Sequence, residues 1–169
     1  VKAQFNTDRL MISGRSALYY EDYVLSIQYF NQVLTAKPYL YEPWFFRGLA
    51  KFYLDDFSGA EADVTKAVEL NPYIYNMYEL RGLCNIRQNK YALAIADYDN
   101  SIRLNPQNQA AWYNRALCRV ELKDYAKAQL ELDTVVTRWK KFAGAYTLKA
   151  QIYLAQKDTT KADQWLNRG

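Results

Sequence analysis

The sequence predicts an all-α chain built as a linear array of stacked, antiparallel helix pairs. Three observations predict it. One residue pattern returns every 34 positions in separate columns: Pro38, Pro72 and Pro106; Gly14, Gly48, Gly82, Ala116 and Ala150; Leu10, Trp44, Tyr78, Trp112 and Tyr146; Ser26, Ala60, Ala94, Ala128 and Ala162. Within one period the apolar spacing is helical, with Ala60, Val64, Ala67 and Val68 on a single face. Glycine and proline are sparse, at six and four residues, and three of each recur at the 34-residue step. A fixed step of this length with no insertion marks a solenoid, in which each unit buries its apolar face only against its neighbours.

The repeats begin at Thr7, Tyr41, Tyr75, Gln109 and Ala143. They divide the chain into a lead-in at 1–6 and repeats at 7–40, 41–74, 75–108, 109–142 and a truncated 143–169. The first helix of a repeat is expected over positions 1–14, as in Tyr41 to Leu54. Trp44, Phe45, Phe46, Leu49, Ala50, Phe52 and Tyr53 make it apolar over much of its circumference. A helix of that kind is covered on two sides. The second helix is expected over positions 18–31, as in Ser58 to Asn71.

Asp22, Asp56, Asp124 and Asp158 stand just before second helices, where a short acceptor caps free N–H groups. Asn71-Pro72 and Asn105-Pro106 end second helices, because proline disfavours helical geometry in the residue before it. Lys140 occupies the proline column of the fourth repeat, so that second helix is expected to run on or to turn differently. Gly48 faces the small Ala60, which lets the paired helices approach closely; a larger residue there costs about 1–3 kcal/mol.

This pattern resembles the tetratricopeptide repeat: bulky at 4, Gly or Ala at 8, Ala at 20, large at 24, small at 27, Pro at 32. Trp44, Gly48, Ala60, Val64, Ala67 and Pro72 supply it in the second repeat, and Tyr78, Gly82, Ala94, Tyr98, Ser101 and Pro106 in the third. The first repeat is looser, with Leu10, Ser13 and Ala17. The resemblance implies a right-handed superhelical α-solenoid whose first helices line a concave face through positions 2, 5, 6, 9, 12 and 13. On those positions stand Tyr19, Phe45 and Tyr53, then Asn76, Glu79, Arg87, Tyr113 and Asn114. The implied groove is aromatic in the first two repeats and mixed in the next two. It suits a peptide with apolar anchors oriented by a few hydrogen bonds. Phe46, Leu49 and Leu83 are read as packing helix on helix. Two subfamily signatures fail. Only Asn114 fits the Lys/Asn/Arg clamp that holds a terminal carboxylate, and only Asn114 fits the asparagine ladder of O-glycosyltransferase arms.

Composition narrows the function. There is no histidine, which excludes Ser–His–Asp or Cys–His machinery and a His₂Cys₂ zinc site. There is no phosphate-cradling glycine loop, and no cofactor or metal is expected. Cys84 and Cys118 share one column with Ser16 and Ala50, so small buried residues are expected there rather than a disulfide or metal pair. Glu61/Asp63 and Asp97/Asp99 read as solvated helix charge. Net charge is +4: residues 1–118 hold 12 Lys/Arg against 12 Asp/Glu, and residues 119–169 hold 10 against 6. No dense run alternates bases with aromatics, so nucleic acid is not expected as a partner, and no apolar run is long enough for a membrane span. The chain begins at Val1 with no signal pattern and reads as a piece of a longer protein.

The expectation is therefore a non-catalytic scaffold that holds a protein segment or peptide in its concave groove. The rival is the repeat arm of a larger enzyme, for example a glycosyltransferase. At the C-terminal edge no further helix follows to cover Leu154, Trp165 and Leu166, and weak self-association or fraying of 159–169 is expected there.

Overall fold

The computed structural model describes residues 2–168, with side chains from Asn6 onward. Val1, assigned above to the lead-in, and Gly169, assigned to the last repeat, lie outside the described residues. Ten helices and no strand occur among the described residues: α1 (Lys2–Tyr19), α2 (Tyr23–Ala36), α3 (Tyr41–Tyr53), α4 (Phe57–Leu70), α5 (Tyr75–Arg87), α6 (Tyr91–Leu104), α7 (Gln109–Glu121), α8 (Tyr125–Arg138), α9 (Ala143–Ala155) and α10 (Thr159–Leu166). They form two compact units, one ending at Lys90 and one beginning at Tyr91. α1 starts well before Thr7, so the lead-in is helical from Lys2.

Each turn from a first to a second helix is built the same way. The residue after the C-cap has a left-handed backbone: Glu21 at φ 62, Asp55 at 59, Asn89 at 58, Lys123 at 62 and Lys157 at 63. In four of the five turns an aspartate follows and does two jobs, while Lys90 follows Asn89 and makes only the backbone closure, to Asn85 O at 2.8 Å. Asp56 donates its N–H to Lys51 O at 3.0 Å, closing α3, and its carboxylate accepts from Gly59 N at 2.9 Å, opening α4. Asp22, Asp124 and Asp158 repeat this with Leu25 N (3.1 Å), Lys127 N (3.4 Å) and Lys161 N (3.1 Å).

The turn between repeats is held from the helix that follows it. Trp44 Nε1 donates to Pro38 O at 2.8 Å, Tyr78 Oη to Pro72 O at 3.0 Å and Trp112 Nε1 to Pro106 O at 3.0 Å. Tyr146 Oη donates to Lys140 O at 2.9 Å in the same way. This corrects the expectation for the fourth repeat. α8 stops at Arg138, in register with the end of α4 at Leu70, although no proline follows. A carbonyl is all that the ring's donor needs, and lysine offers one as well as proline does.

In the first unit Ala60, Val64, Ala67, Met77, Leu80 and Cys84 form a buried cluster under Trp44, Leu49 and Phe52. A Cβ added to Gly48 would lie 2.8 Å from Val64 Cγ2 and 3.2 Å from the Ala60 carbonyl, which as backbone cannot yield. The second unit buries Ala116, Ala128, Leu132, Val135, Ala145, Leu148 and Ile152. Trp165, expected to be an uncovered ring, is half-buried: Lys149 Nζ lies 4.0 Å and Arg168 Cζ 4.9 Å from its centroid. Leu154 and Leu166 are exposed beside it.

Candidate functional site

In the first unit the rings of the first helices fall into two groups. Tyr19 is 80% exposed at the end of α1, edge-on to Tyr20 at 5.2 Å. Tyr53, 54% exposed at the end of α3, stacks on Tyr23 of α2 with centroids 5.0 Å apart and planes 17° apart. These rings present apolar faces to water. Phe45 is half-buried, packed against the core cluster and tilted onto Phe46 at 5.4 Å. Phe46 in turn stacks on the fully buried Phe30 at 5.8 Å, and Arg15 Cζ lies 5.2 Å over its ring.

The polar residues of α5 are spread along it. Asn76 is exposed at its start, Glu79 is half-buried, and Arg87 ends it. Arg87 is turned toward the α3–α4 turn, 3.4 Å from Asp55 Oδ1 and with Cζ 4.4 Å over the Phe57 ring. In the second unit Tyr113 meets Phe142 edge-on at 5.0 Å, and burial pushes its hydroxyl above the usual tyrosine range. Asn114 beside it is half-buried.

Sequence reasoning missed a charged column. Position 7 of repeats 2 to 5 carries Arg47, Arg81, Arg115 and Lys149, and position 23 of repeats 2 to 4 carries Asp63, Asp97 and Glu131. Asp63, read above as solvated, is buried. Its carboxylate accepts two hydrogen bonds from Arg47, at 2.7 and 2.8 Å, and lies 2.8 Å from Lys51 Nζ. Arg47 also reaches back to Asn31 at 2.7 Å and covers the Trp44 ring at 4.8 Å. The second unit repeats the plan: Glu131 holds Arg115 and, at 2.9 Å, Arg119, while Arg115 also reaches Asp99 at 2.6 Å. Matching the sign of charge across columns 7 and 23 would have exposed this network. It spends these charges inside the fold.

No group of three or more metal-ligating side chains occurs among the described residues, and no helix there is long and apolar enough to cross a membrane. Cys84 and Cys118 are fully buried thiols. Burial pushes the Cys118 thiol up to about 12, with Glu121 and Glu131 adding to the effect, so the thiolate that reacts is scarce.

The chain matches the family model described as tetratricopeptide repeat over residues 47–101, 86–131 and 119–169. No curated protein gives a significant match. Among solved structures it is similar to MamA 41-end from Desulfovibrio magneticus RS-1, with a TM-score of 0.92 at 15% identity over 96% of this chain and 92% of that one. It is similar to YrrB, a TPR protein with an unusual peptide-binding site, with a TM-score of 0.85 at 12% identity over 94% of this chain and 82% of that one. The first TPR of Spaghetti (RPAP3), bound to the HSP90 peptide SRMEEVD, aligns with a TM-score of 0.68 at 26% identity over 70% of this chain and 94% of that one. The family match begins at Arg47 and so leaves out the first repeat, the loosest in sequence, and the start of the second, yet α1 and α2 pair as α3 and α4 do. Helix pairs with these joints, across a family match that covers most of the chain, place this protein in the tetratricopeptide-repeat family.

Proposed function

We propose that this protein is a non-catalytic interaction scaffold that holds a peptide or protein segment on its first helices, with Tyr19, Phe45, Tyr53, Asn76, Glu79 and Arg87 as contact residues of the first unit and Tyr113 and Asn114 as those of the second. The observation that carries the reading is the exposure of rings that are already in ring contacts: Tyr19 stands in water edge-on to the exposed Tyr20, and Tyr53 stands in water stacked on Tyr23. Exposed rings that lose little entropy on docking make good anchors. The peptide-bound Spaghetti repeat and the peptide-binding site of YrrB support a peptide as the kind of partner.

Panning a random peptide library on the purified chain, followed by calorimetry of the selected peptide, tests the reading. Tyr53→Ala and Tyr19→Ala each weaken binding by about 1–3 kcal/mol, with helix content and melting unchanged. Selected peptides that bind both variants as tightly as the parent would place the site elsewhere.

A further inference from the structure

The turn between α8 and α9 differs in chemistry from the other turns between repeats. Those read Lys37-Pro38-Tyr39-Leu40, Asn71-Pro72-Tyr73-Ile74 and Asn105-Pro106-Gln107-Asn108, whereas this one reads Trp139-Lys140-Lys141-Phe142, just after Arg138. From Thr134 to Lys157 there is no aspartate or glutamate. Gln109, Arg138, Trp139, Lys140, Lys141 and Phe142 line an open pocket of about 460 Å³. The loop is fixed rather than slack. Trp139 N donates to Val135 O at 2.8 Å, Phe142 N to Trp139 O at 3.0 Å, and Lys140 O accepts from Tyr146.

The cations of this pocket are unspent. Arg47, Lys51, Arg115, Arg119 and Lys149 each hold a carboxylate. Lys140 and Lys141 are exposed and have no ion-pair partner among the described residues. Arg138 donates to the Pro106 carbonyl at 3.4 Å and lies 5.2 Å over the Trp112 ring, positioned by neutral groups alone. Trp139 and Phe142 are half-buried, each with one side packed on the second unit's core.

We infer that this pocket is a second docking site, apart from the exposed rings Tyr19 and Tyr53 and meeting the first-helix contact residues only where Phe142 touches Tyr113, and that it takes an acidic protein segment with an apolar side chain between its carboxylates. Charge complementarity sets the sign of the partner. The two rings set its class, because they offer a place to bury a side chain between the charges. A nucleic-acid strand would need cations in a stripe that follows its backbone, and here three sit around one pocket. Trp139 to Phe142 lie on an inter-repeat loop, Arg138 ends α8 and Gln109 opens α7 at position 1, so none stands at the concave first-helix positions named above.

Fluorescence anisotropy with the whole chain tests this, using a labelled decapeptide of aspartate and glutamate with one central leucine. The peptide binds at low ionic strength, and salt weakens it. Lys140→Glu with Lys141→Glu weakens binding about ten-fold or more. Replacing the leucine by serine also weakens it, and Tyr53→Ala leaves it unchanged. Should the double reversal lose helix content, the neutral pair Lys140→Gln with Lys141→Gln is titrated in its place and still lowers affinity. Equal affinity for parent and charge-altered chains, or no binding at low salt, overturns the inference. So does displacement of the peptide by oligothymidylate or inorganic phosphate at concentrations below those at which unlabelled peptide competes.

Discussion

Arg47 and Lys149 stand at the same place in their repeats and meet different neighbours. Arg47 looks forward to the buried Asp63, 16 residues on, and back to Asn31. Sixteen residues beyond Lys149 stands Trp165 in place of an acid, so Lys149 lies against that ring and pairs back with Asp133. Lys149 is 2% exposed, while the Asp133 side chain is 56% exposed. The cation is therefore kept at both joints and its partner changes. In the middle of the array the acid is the buried member and gathers cations around it. At the last pair the cation is buried and the acid sits in water.

The largest effects follow from removing the buried member. Asp63→Leu leaves Arg47 with only Asn31 and deprives Lys51 of its carboxylate, in a part-buried setting. Breaking a buried pair in this way costs about 2–4 kcal/mol. Glu131→Leu costs less, about 1–2 kcal/mol, because Arg115 retains Asp99. Urea unfolding of both variants beside the parent measures the difference; equal losses would show that Asp99 and Asn31 support their arginines equally well.

Lys149→Met sharpens the contrast from the other side. It removes a buried charge, keeps most of the volume, and leaves Asp133 exposed to solvent. The change stays within about 1 kcal/mol of the parent, although the same pair of charges is broken. A loss as large as that of Asp63→Leu would show that the Lys149–Trp165 contact anchors α10 and that burial of the acid is not what matters.

Acidity separates the two units further. Burial pushes the Glu131 carboxyl above the usual glutamate range against the pull of Arg115 and Arg119, and its Oε2 is buried with no hydrogen-bond partner. A raised carboxyl contributes stability below its unfolded pKa, and that contribution is lost as pH rises through the folded pKa. For Glu61 burial acts in the same upward direction, but hydrogen bonds from Lys90 and Gln88 outweigh it and hold the carboxyl below the usual range. Its contribution is present above the unfolded pKa and lost as pH falls through the folded one. Between about pH 3 and pH 7 the parent therefore loses ground to Glu131→Gln and gains ground on Glu61→Gln as pH rises. Denaturation midpoints across that range report the two signs, and curves that move together would contradict the assignment.

Much of this architecture is legible from column arithmetic. The 34-residue step placed Gly48 over Ala60 and the aspartate caps before the second helices, because those roles belong to single residues at fixed offsets. What escaped needed two columns read together. Asp63 looks like surface charge until Arg47 and Lys51 are set across from it. Lys140 looks like a lost helix stop until Tyr146 is seen to bond its carbonyl. The stacking of Tyr53 on Tyr23 joins helices of two repeats, and one step on Arg87 covers Phe57 at the same two positions, a pairing seen only when the aromatic column Tyr23, Phe57, Tyr91 and Tyr125 is set against the column of Tyr53 and Arg87. The basic pocket was visible only as an excess of charge in the last third, since Trp139 and Phe142 gain their meaning from the loop that sets them beside Lys140 and Lys141.

The smallest predicted effect lies in the turn that every repeat shares. Lys123 and Lys157 hold left-handed backbones at φ 62 and 63, where a side chain with a β-carbon costs about 1–2 kcal/mol. Asn89 holds the same conformation at φ 58, and asparagine visits that region more readily. Lys123→Gly relieves the strain but frees the unfolded chain, so the net gain is about 0.5–1 kcal/mol. Lys123→Val adds a branch at the same carbon and lowers stability instead. Asn89→Gly gains less than Lys123→Gly because less strain is present to relieve. Paired thermal melts of the three variants read the order directly. If Asn89→Gly stabilised as much as Lys123→Gly, the turn's cost would come from its hydrogen-bonded closure, Asp124 N to Arg119 O and Lys90 N to Asn85 O at 2.8 Å each, and not from the side chain at the left-handed position.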